Sequence, residues 1–251
     1  MSYEQFAYTY DRLMEDMPYK DWLRFAKEGW LSYGVKPSTV VDLGCGTGSL
    51  SIPLALEGIQ VTGIDLSEDM LAVAQNKADQ QAFPRGGSLN WIQQDLREWQ
   101  LPEQVDVVIS FCDCFNYLLE EEDVVQALRQ TFDGLKSGGL FMFDVHPAEQ
   151  LFKYVEEQPF FLNEDDIAYI WTSEMDEERV QIEHALTIFT QTESGQFRRI
   201  DEMHVQRAYS HEWLDAQLLE VGFVEVKVAA DFQWKLPSDS SERVFFAARK
   251  P

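Results

Sequence analysis

Three glycines spaced G-x-G-x-G, Gly44, Gly46 and Gly48, follow the apolar run VVDL (40–43). Lacking a β-carbon, they let the chain turn tightly and bring backbone N–H groups close to a ligand. Asp42 stands two positions before them, and a second apolar run, VTGID (61–65), ends in Asp65. A dinucleotide site favours G-x-G-x-x-G, with the third glycine packing beneath a pyrophosphate. Counted from Gly44, that position is Ser49. Asp42 also puts negative charge where a pyrophosphate would lie, which is poor for a phosphate and favourable for a cation. Asp65 is placed to accept hydrogen bonds from vicinal ribose hydroxyls. The chemistry expected is recognition of a ribose-bearing nucleoside with a positive group and no phosphate. S-adenosylmethionine, with its ammonium, sulfonium and ribose, fits; a ligand-free strand-to-helix turn is the alternative.

These residues need elements that bring them to one edge. Apolar runs at 40–43, 61–65, 89–93, 105–110 and 140–145 read as buried parallel strands. Helical stretches are expected at 49–57, 68–82 and 121–135, with Ser67 or Asp69 as a cap for the second. The first 35 residues read as helix from the spacing of Phe6, Tyr10, Leu13, Trp22, Phe25 and Trp30. Lys136-Ser137-Gly138-Gly139 reads as a turn into the fifth strand. Five strand–helix alternations imply an α/β, doubly wound, mostly parallel sheet. Between about Pro147 and Ser210 the period changes: Val180, Ile182, Leu186 and Ile188 alternate as in a half-exposed strand, and TESG (192–195) suggests a hairpin turn. This predicts an antiparallel β insertion at 147–210 within a core of 1–146 and 211–251, completed by the helix HEWLDAQLLEVG (211–222) and two closing strands.

Composition narrows the partners. The 251 residues carry 20 basic and 44 acidic side chains, a net charge of −24, with no basic cluster. Such a surface repels nucleic acid and anionic membranes. The N-terminus lacks a secretory pattern, and no apolar run approaches the ~20 residues that span a bilayer. Three cysteines, Cys45, Cys112 and Cys114, form no framework spacing and are expected to be reduced thiols. No histidine is spaced with them, so no metal is expected. A cytoplasmic protein is anticipated, its oligomeric state left open.

VVDLGCGTG, GIDLSEDML, IQQDLREW and VDVVISFCDCFNYL occur in the order and at the intervals of class I S-adenosylmethionine-dependent methyltransferases, which this chain resembles over about residues 36–146 and more loosely in its C-terminal strands. The segments FAYTYDRLM and EMHVQRAYS resemble a subgroup of small bacterial enzymes in that superfamily. The resemblance implies a Rossmann-like methyltransferase fold with seven strands and S-adenosylmethionine as cofactor. It further implies that Gly44, Cys45 and Gly46 leave room for the methionine portion, whose ammonium Asp42 supports. By the same resemblance Asp65 holds the ribose, Leu66 and Met70 flank the adenine, Asp95 accepts from its amino group and Leu96 lies along the ring. The backbone around Phe111 and Cys112 would meet the ammonium, and Tyr10, with Tyr8, would close over the cofactor. A loop position for Asp95 and a core position for Tyr10 are the plain alternatives.

Methyl transfer from a sulfonium mainly requires alignment of the nucleophile and exclusion of water, and a base only where the acceptor must lose a proton. Acceptor-side candidates are Asp113, Asn116 and Tyr117 after the fourth strand and His146 after the fifth, at the carboxyl edge where open α/β sheets bind ligands. C-F-N-Y (114–117) lacks the prolines of the N-P-P-Y type associated with amino-group methylation of planar nitrogens, so that acceptor class is not supported. The insertion adds His184, Glu202, His204 and Arg207, and a four-residue TESG loop would put Glu183 across from His204. With fourteen acidic and five basic residues, the insertion disfavours nucleic acid. A small molecule, cationic or amine-bearing, is the acceptor expected. Two competitors remain open: a non-catalytic nucleoside- or protein-binding domain, and a nicotinamide-dependent oxidoreductase of the same fold.

Overall fold

Two sheets flanked by helices carry the described chain. The computed structural model describes residues 9–192 and 194–251. In chain order come α1 (Tyr19–Ser32), β1 (Thr39–Leu43), α2 (Ser51–Leu56), β2 (Gln60–Asp65), α3 (Glu68–Ala78), β3 (Ser88–Gln93) and β4 (Val105–Ser110). A single 3₁₀ turn (Cys114–Tyr117) leads to α4 (Glu121–Gly134), β5 (Leu135–Val145) and α5 (Ala148–Glu157). Four strands follow: β6 (Phe160–Asn163), β7 (Ile167–Asp176), β8 (Gln181–Gln191) and β9 (Phe197–Arg207). The chain ends with α6 (His211–Val221), β10 (Val224–Ala230) and β11 (Val244–Arg249).

The larger sheet has the order β10-β11-β5-β4-β1-β2-β3. Its pairings are parallel except those of β11, which runs antiparallel to both neighbours. Successive side chains of a strand face opposite ways, so β5 sends Leu140 and Met142 to one face and Phe141 and Phe143 to the other. The first pair packs with Trp22 and Phe25 of α1 and Leu54 of α2. The second packs with Leu128 of α4 and with Leu214 and Leu218 of α6. Buried on both faces, these strands are near-continuous apolar runs, which makes them readable. The sheet direction reverses between β1 and β4, and the glycine turn stands at that point.

Four local expectations change. Residues 9–13 are helical, but 14–18 form a turn before α1, because Pro18 lacks an N–H to continue the first helix; Phe6 and Tyr8 lie outside the described residues. Lys136-Ser137-Gly138-Gly139 belongs to β5 as an irregularity rather than a separate turn, with Gly138 at φ +79° and the register shifting between Val105 and Val107. The stretch after Pro147 begins with α5 before any strand. Finally, Gln191 pairs with Phe197, so five residues close the β8–β9 hairpin instead of four. That one-residue slip places His184, not Glu183, opposite His204, with Glu183 paired to Val205.

Candidate active site

The glycine turn has its shape for two reasons. Gly44 sits at φ +73°, and a β-carbon there would meet Cys114 Sγ at 2.1 Å, so the turn must be bare to pack on the loop after β4. Gly46, at φ +51°, has nothing within 4 Å of where its β-carbon would point, which leaves open space above the turn. Its N–H donates to Asp65 Oδ2 at 2.8 Å, and the Ser67 N–H donates to Oδ1 at 2.9 Å. Ser67 also caps α3, accepting from the Met70 N–H. Asp42 is buried and accepts from the Ser51 hydroxyl at 2.6 Å. Burial pushes the Asp42 carboxyl up to about 7, and Asp65 nearby adds to the rise. Burial also raises Asp65, against the backbone N–H groups that hold it down.

This arrangement fits S-adenosylmethionine. Half-buried Asp65 already disfavours the charge of buried Asp42, so a pyrophosphate would add a further anion, whereas a cation relieves the excess. Each Asp65 oxygen accepts one backbone N–H and retains acceptor capacity for a ribose hydroxyl. Of the residues expected to flank the adenine, Leu66 is 62% exposed. Met70 and Tyr10 pack in an apolar cluster with Ile167, Ile188 and Ile200 of the smaller sheet. Burial raises the Tyr10 hydroxyl well above its ordinary value, so it is a neutral phenol. Asp95 is held by Arg97 through Nε at 2.9 Å and Nη2 at 2.7 Å, which lowers its pKa, while Leu96 packs on the core. Cys45 is buried in the turn, and burial raises its thiol.

The carboxyl edge of β4 and β5 carries a buried charge network. Cys112 and Asp113 follow β4 at φ 60° and 53°, a conformation that is costly for residues with side chains and persists where surroundings enforce it. Asp144 of β5 enforces it: its Oδ1 accepts the Cys112 N–H at 2.9 Å and the Trp22 indole N–H at 3.0 Å. Arg243, buried just before β11, is bonded to Asp144, reaches Asp113 Oδ1 at 3.0 Å and lies 5.0 Å from the Trp22 ring centroid. His146 and Arg243 hold the Asp113 carboxyl well below the usual range. From the smaller sheet, Gln206 Nε2 donates to Asp113 Oδ2 at 2.7 Å. Asn116 is wholly buried and clamps the His146 main chain at both its N–H and C=O.

Three histidines converge here in different states of engagement. His184 accepts the Trp171 indole N–H at Nδ1, 3.0 Å away, with Ser173 Oγ at 2.8 Å. Burial pushes it down to about 4, so it is neutral at physiological pH. His204 also titrates below its ordinary value through burial, and its Nδ1 lies 3.4 Å from the Tyr117 hydroxyl. His146 contacts Glu242 C=O through Nδ1 at 2.9 Å, with Arg243 Nη2 at 3.2 Å from Nε2. Beside it a cavity of about 410 Å³ opens beyond β5 and β11, walled by Trp22, His146, Gln150, Tyr154, Phe232 and Arg243 among others. Among the described residues no group of three or more His, Cys, Asp or Glu side chains is arranged to hold a metal ion, and no helix is long and apolar enough to cross a membrane.

The sequence candidates thus fall into two groups: Gly44, Gly46, Asp42 and Asp65 at the turn, and Asp113, Tyr117, His146 and His204 at the β4–β5 edge. Sequence reasoning passed over Asp144, Gln150, Tyr154, Gln206 and Arg243. Asp144 left a signal, a carboxylate inside the apolar run LFMFDV; Arg243 left none, because its partners are 99 and 130 residues away.

Comparison with known proteins agrees with this fold. Residues 40–139 match the family model of a methyltransferase domain. The chain is 40% identical over all of its length to a protein of Geobacillus sp. (strain WCH70), covering all of that protein as well. It is 36% identical to YqeM of Bacillus subtilis (strain 168), covering all of this chain and 98% of YqeM. Both relatives carry provisional methyltransferase names without an acceptor. The fold matches the crystal structure of an S-adenosylmethionine-dependent methyltransferase from Clostridium acetobutylicum ATCC 824, with a TM-score of 0.85 at 24% identity over 100% of this chain and 99% of that one. Fold, glycine turn and full-length relatives together make the chain a member of the class I S-adenosylmethionine-dependent methyltransferases.

Proposed function

We propose that this methyltransferase acts on a small molecule in the cytoplasm, taking it into the cavity beside His146. The observation that carries this reading is the cavity itself: about 410 Å³ lies within the range of small-molecule sites and is far too small for a folded polymer. The acidic character of residues 147–210 supports it, as does the whole-chain charge of −24. Residues 1–146 and 211–251 form the cofactor-binding part in this reading, and 147–210 the lid over the acceptor.

When bound, S-adenosylmethionine supplies a methyl group whose carbon–sulfur bond breaks with its electron pair left on sulfur, as a lone pair of the acceptor forms the new bond to carbon. The chain's own residues do the rest. Asp65 would accept from the ribose hydroxyls, Asp42 and the backbone at Cys112 would hold the ammonium, and Cys45, Gly44 and Gly46 would leave room for the methionine portion. Leu66, Met70, Asp95 and Leu96 would hold the adenine, and Tyr10 would help exclude water. His204 is neutral because burial disfavours its cation, so its imidazole can receive the proton that a hydroxyl or ammonium acceptor sheds. Tyr117 orients that ring. Asp113 keeps its charge in the network and acts as the fixed anion between lid and core.

Calorimetric titration of S-adenosylmethionine, S-adenosylhomocysteine and NAD into the protein tests the cofactor half. The first two are expected to bind at micromolar levels and NAD not at all. Asp65→Ala should weaken S-adenosylmethionine by about 2–3 kcal/mol, the cost of losing a charged hydrogen-bond acceptor; unchanged affinity would remove Asp65 from the site. A panel of amines, acids and phenols, assayed for S-adenosylhomocysteine release, tests the acceptor half. Methylation confined to a protein or RNA fraction would overturn the small-molecule reading.

A further inference from the structure

Three acidic side chains are buried among the described residues, and two of them are answered. Asp42 accepts from the Ser51 hydroxyl, and Asp144 accepts from the Cys112 N–H, the Trp22 indole and Arg243. The third is Glu202 of β9, which is 4% exposed. No hydrogen bond or ion pair joins it to a described residue. Leaving a buried carboxylate unanswered is costly, and native structures seldom keep one without a use.

The alternation of β9 fixes where Glu202 points, since side chains two residues apart share a face. On its own face, Ile200 packs with Tyr10, Leu13 and Met70, His204 Nδ1 lies 3.4 Å from the Tyr117 hydroxyl, and Gln206 Nε2 donates to Asp113 Oδ2 at 2.7 Å. All three neighbours therefore meet residues outside the insertion. The opposite face carries Asp201, engaged by Arg199 and Thr187, and Met203, which is 53% exposed. Glu202 thus stands on the inner side of the smaller sheet, between the cluster around Tyr10 and Met70 and the His204–Tyr117 pair. His184, opposite His204, continues this face to Tyr154 of the cavity wall, with ring centroids 5.4 Å apart. Directly across from Glu202 is Leu186, whose side chain offers no donor. The cations of β9 are elsewhere: Arg199 is held by Asp201, Arg207 reaches the Leu119 C=O and Glu121, and Arg198 is exposed four residues away.

We propose that Glu202 binds the acceptor, and that the acceptor is a small molecule carrying a protonated amine whose ammonium this carboxylate holds beneath the lid. The inference rests on the small-molecule reading and adds the charge of its acceptor. A cation supplies the partner that the folded chain leaves out, and the acidic insertion around it favours the same sign. An anionic acceptor would meet a second negative charge in a desolvated place. His204, two residues along the same face, takes the acceptor's proton in that reading. The residue that binds the ammonium and the residue that receives its proton are then neighbours on one strand.

The test uses full-length protein saturated with S-adenosylhomocysteine, titrated with phenethylamine, with its neutral counterpart 2-phenylethanol, and with 3-phenylpropionate. Wild type should bind the amine in preference to the other two. Glu202→Gln, which keeps the shape and removes the charge, should weaken the amine about tenfold, the factor carried by one hydrogen bond to a charged group. S-adenosylhomocysteine should bind wild type and variant equally, which separates recognition from a folding defect. An unchanged amine affinity in Glu202→Gln, alcohol or acid bound by wild type as well as the amine, or binding of none of the three would overturn the proposal. So would a Glu202→Gln variant that loses affinity for S-adenosylmethionine while keeping it for S-adenosylhomocysteine, because the carboxylate would then face the sulfonium. Failure of wild type to bind S-adenosylhomocysteine would instead overturn the methyltransferase site, and methylation confined to a protein or RNA fraction would overturn the small-molecule reading.

Discussion

At the scale of single residues, the site is a set of carboxylates kept in unlike states by their surroundings. Asp113 is held ionised by Arg243 and His146, whereas burial lifts Asp42 to about 7. The folded protein therefore binds a proton at Asp42 that the unfolded chain releases near the ordinary value of 3.8. Asp42 favours folding below that range, and its contribution is lost as pH rises through about 7. Asp42→Asn cannot ionise, so it should gain on wild type by about 2–3 kcal/mol between pH 5 and pH 8. Urea unfolding of the cofactor-free proteins at both pH values measures this. A gap that does not change with pH would mean that the carboxyl titrates like an exposed one.

At the scale of elements, the smaller sheet does two jobs along one face. Its far end is apolar, where Ile167, Ile188 and Ile200 cover Tyr10, Leu13 and Met70. Its near end is polar, where Gln206 and His204 reach Asp113 and Tyr117. The five-residue hairpin loop makes this possible, since a one-residue slip along β9 would turn His204 and Gln206 to the outer face. Ile188→Ala removes the fully buried centre of the apolar end and should cost about 2–4 kcal/mol. Amide exchange should then speed up in β7, β8 and β9 and stay unchanged in β1, β4 and β5. Equal acceleration in both sheets would show that they open as one unit.

At the scale of the whole molecule, Arg243 ties distant parts of the chain together. From the approach to β11 it binds the loop after β4 and the end of β5, and it lies against Trp22 of α1. Arg243→Met leaves buried Asp144 and half-buried Asp113 without their cation and should destabilise by about 3–5 kcal/mol. Adding Asp144→Asn to that variant should recover part of the loss, because one of the two stranded charges is gone. A loss below about 1 kcal/mol for the single variant would mean that the network is not electrostatic in origin.

The local features of the fold were legible because they depend on short-range rules. Buried parallel strands read as apolar runs, Gly44 and Gly46 announced the turn, and the Asp65 strand end could be placed by counting. Residues 147–210 announced their antiparallel pairing through period-2 alternation, although α5 and the true hairpin register did not show. Register depends on one residue of loop, a difference that composition does not encode. The acceptor side was legible only as a collection of polar residues near strand ends. Its order was decided by tertiary structure, because Gln206 meets Asp113 across 93 residues and Arg243 meets it across 130. The lowered titration of His184 and His204 followed from the same source: burial sets it, and burial exists only once the sheets have packed.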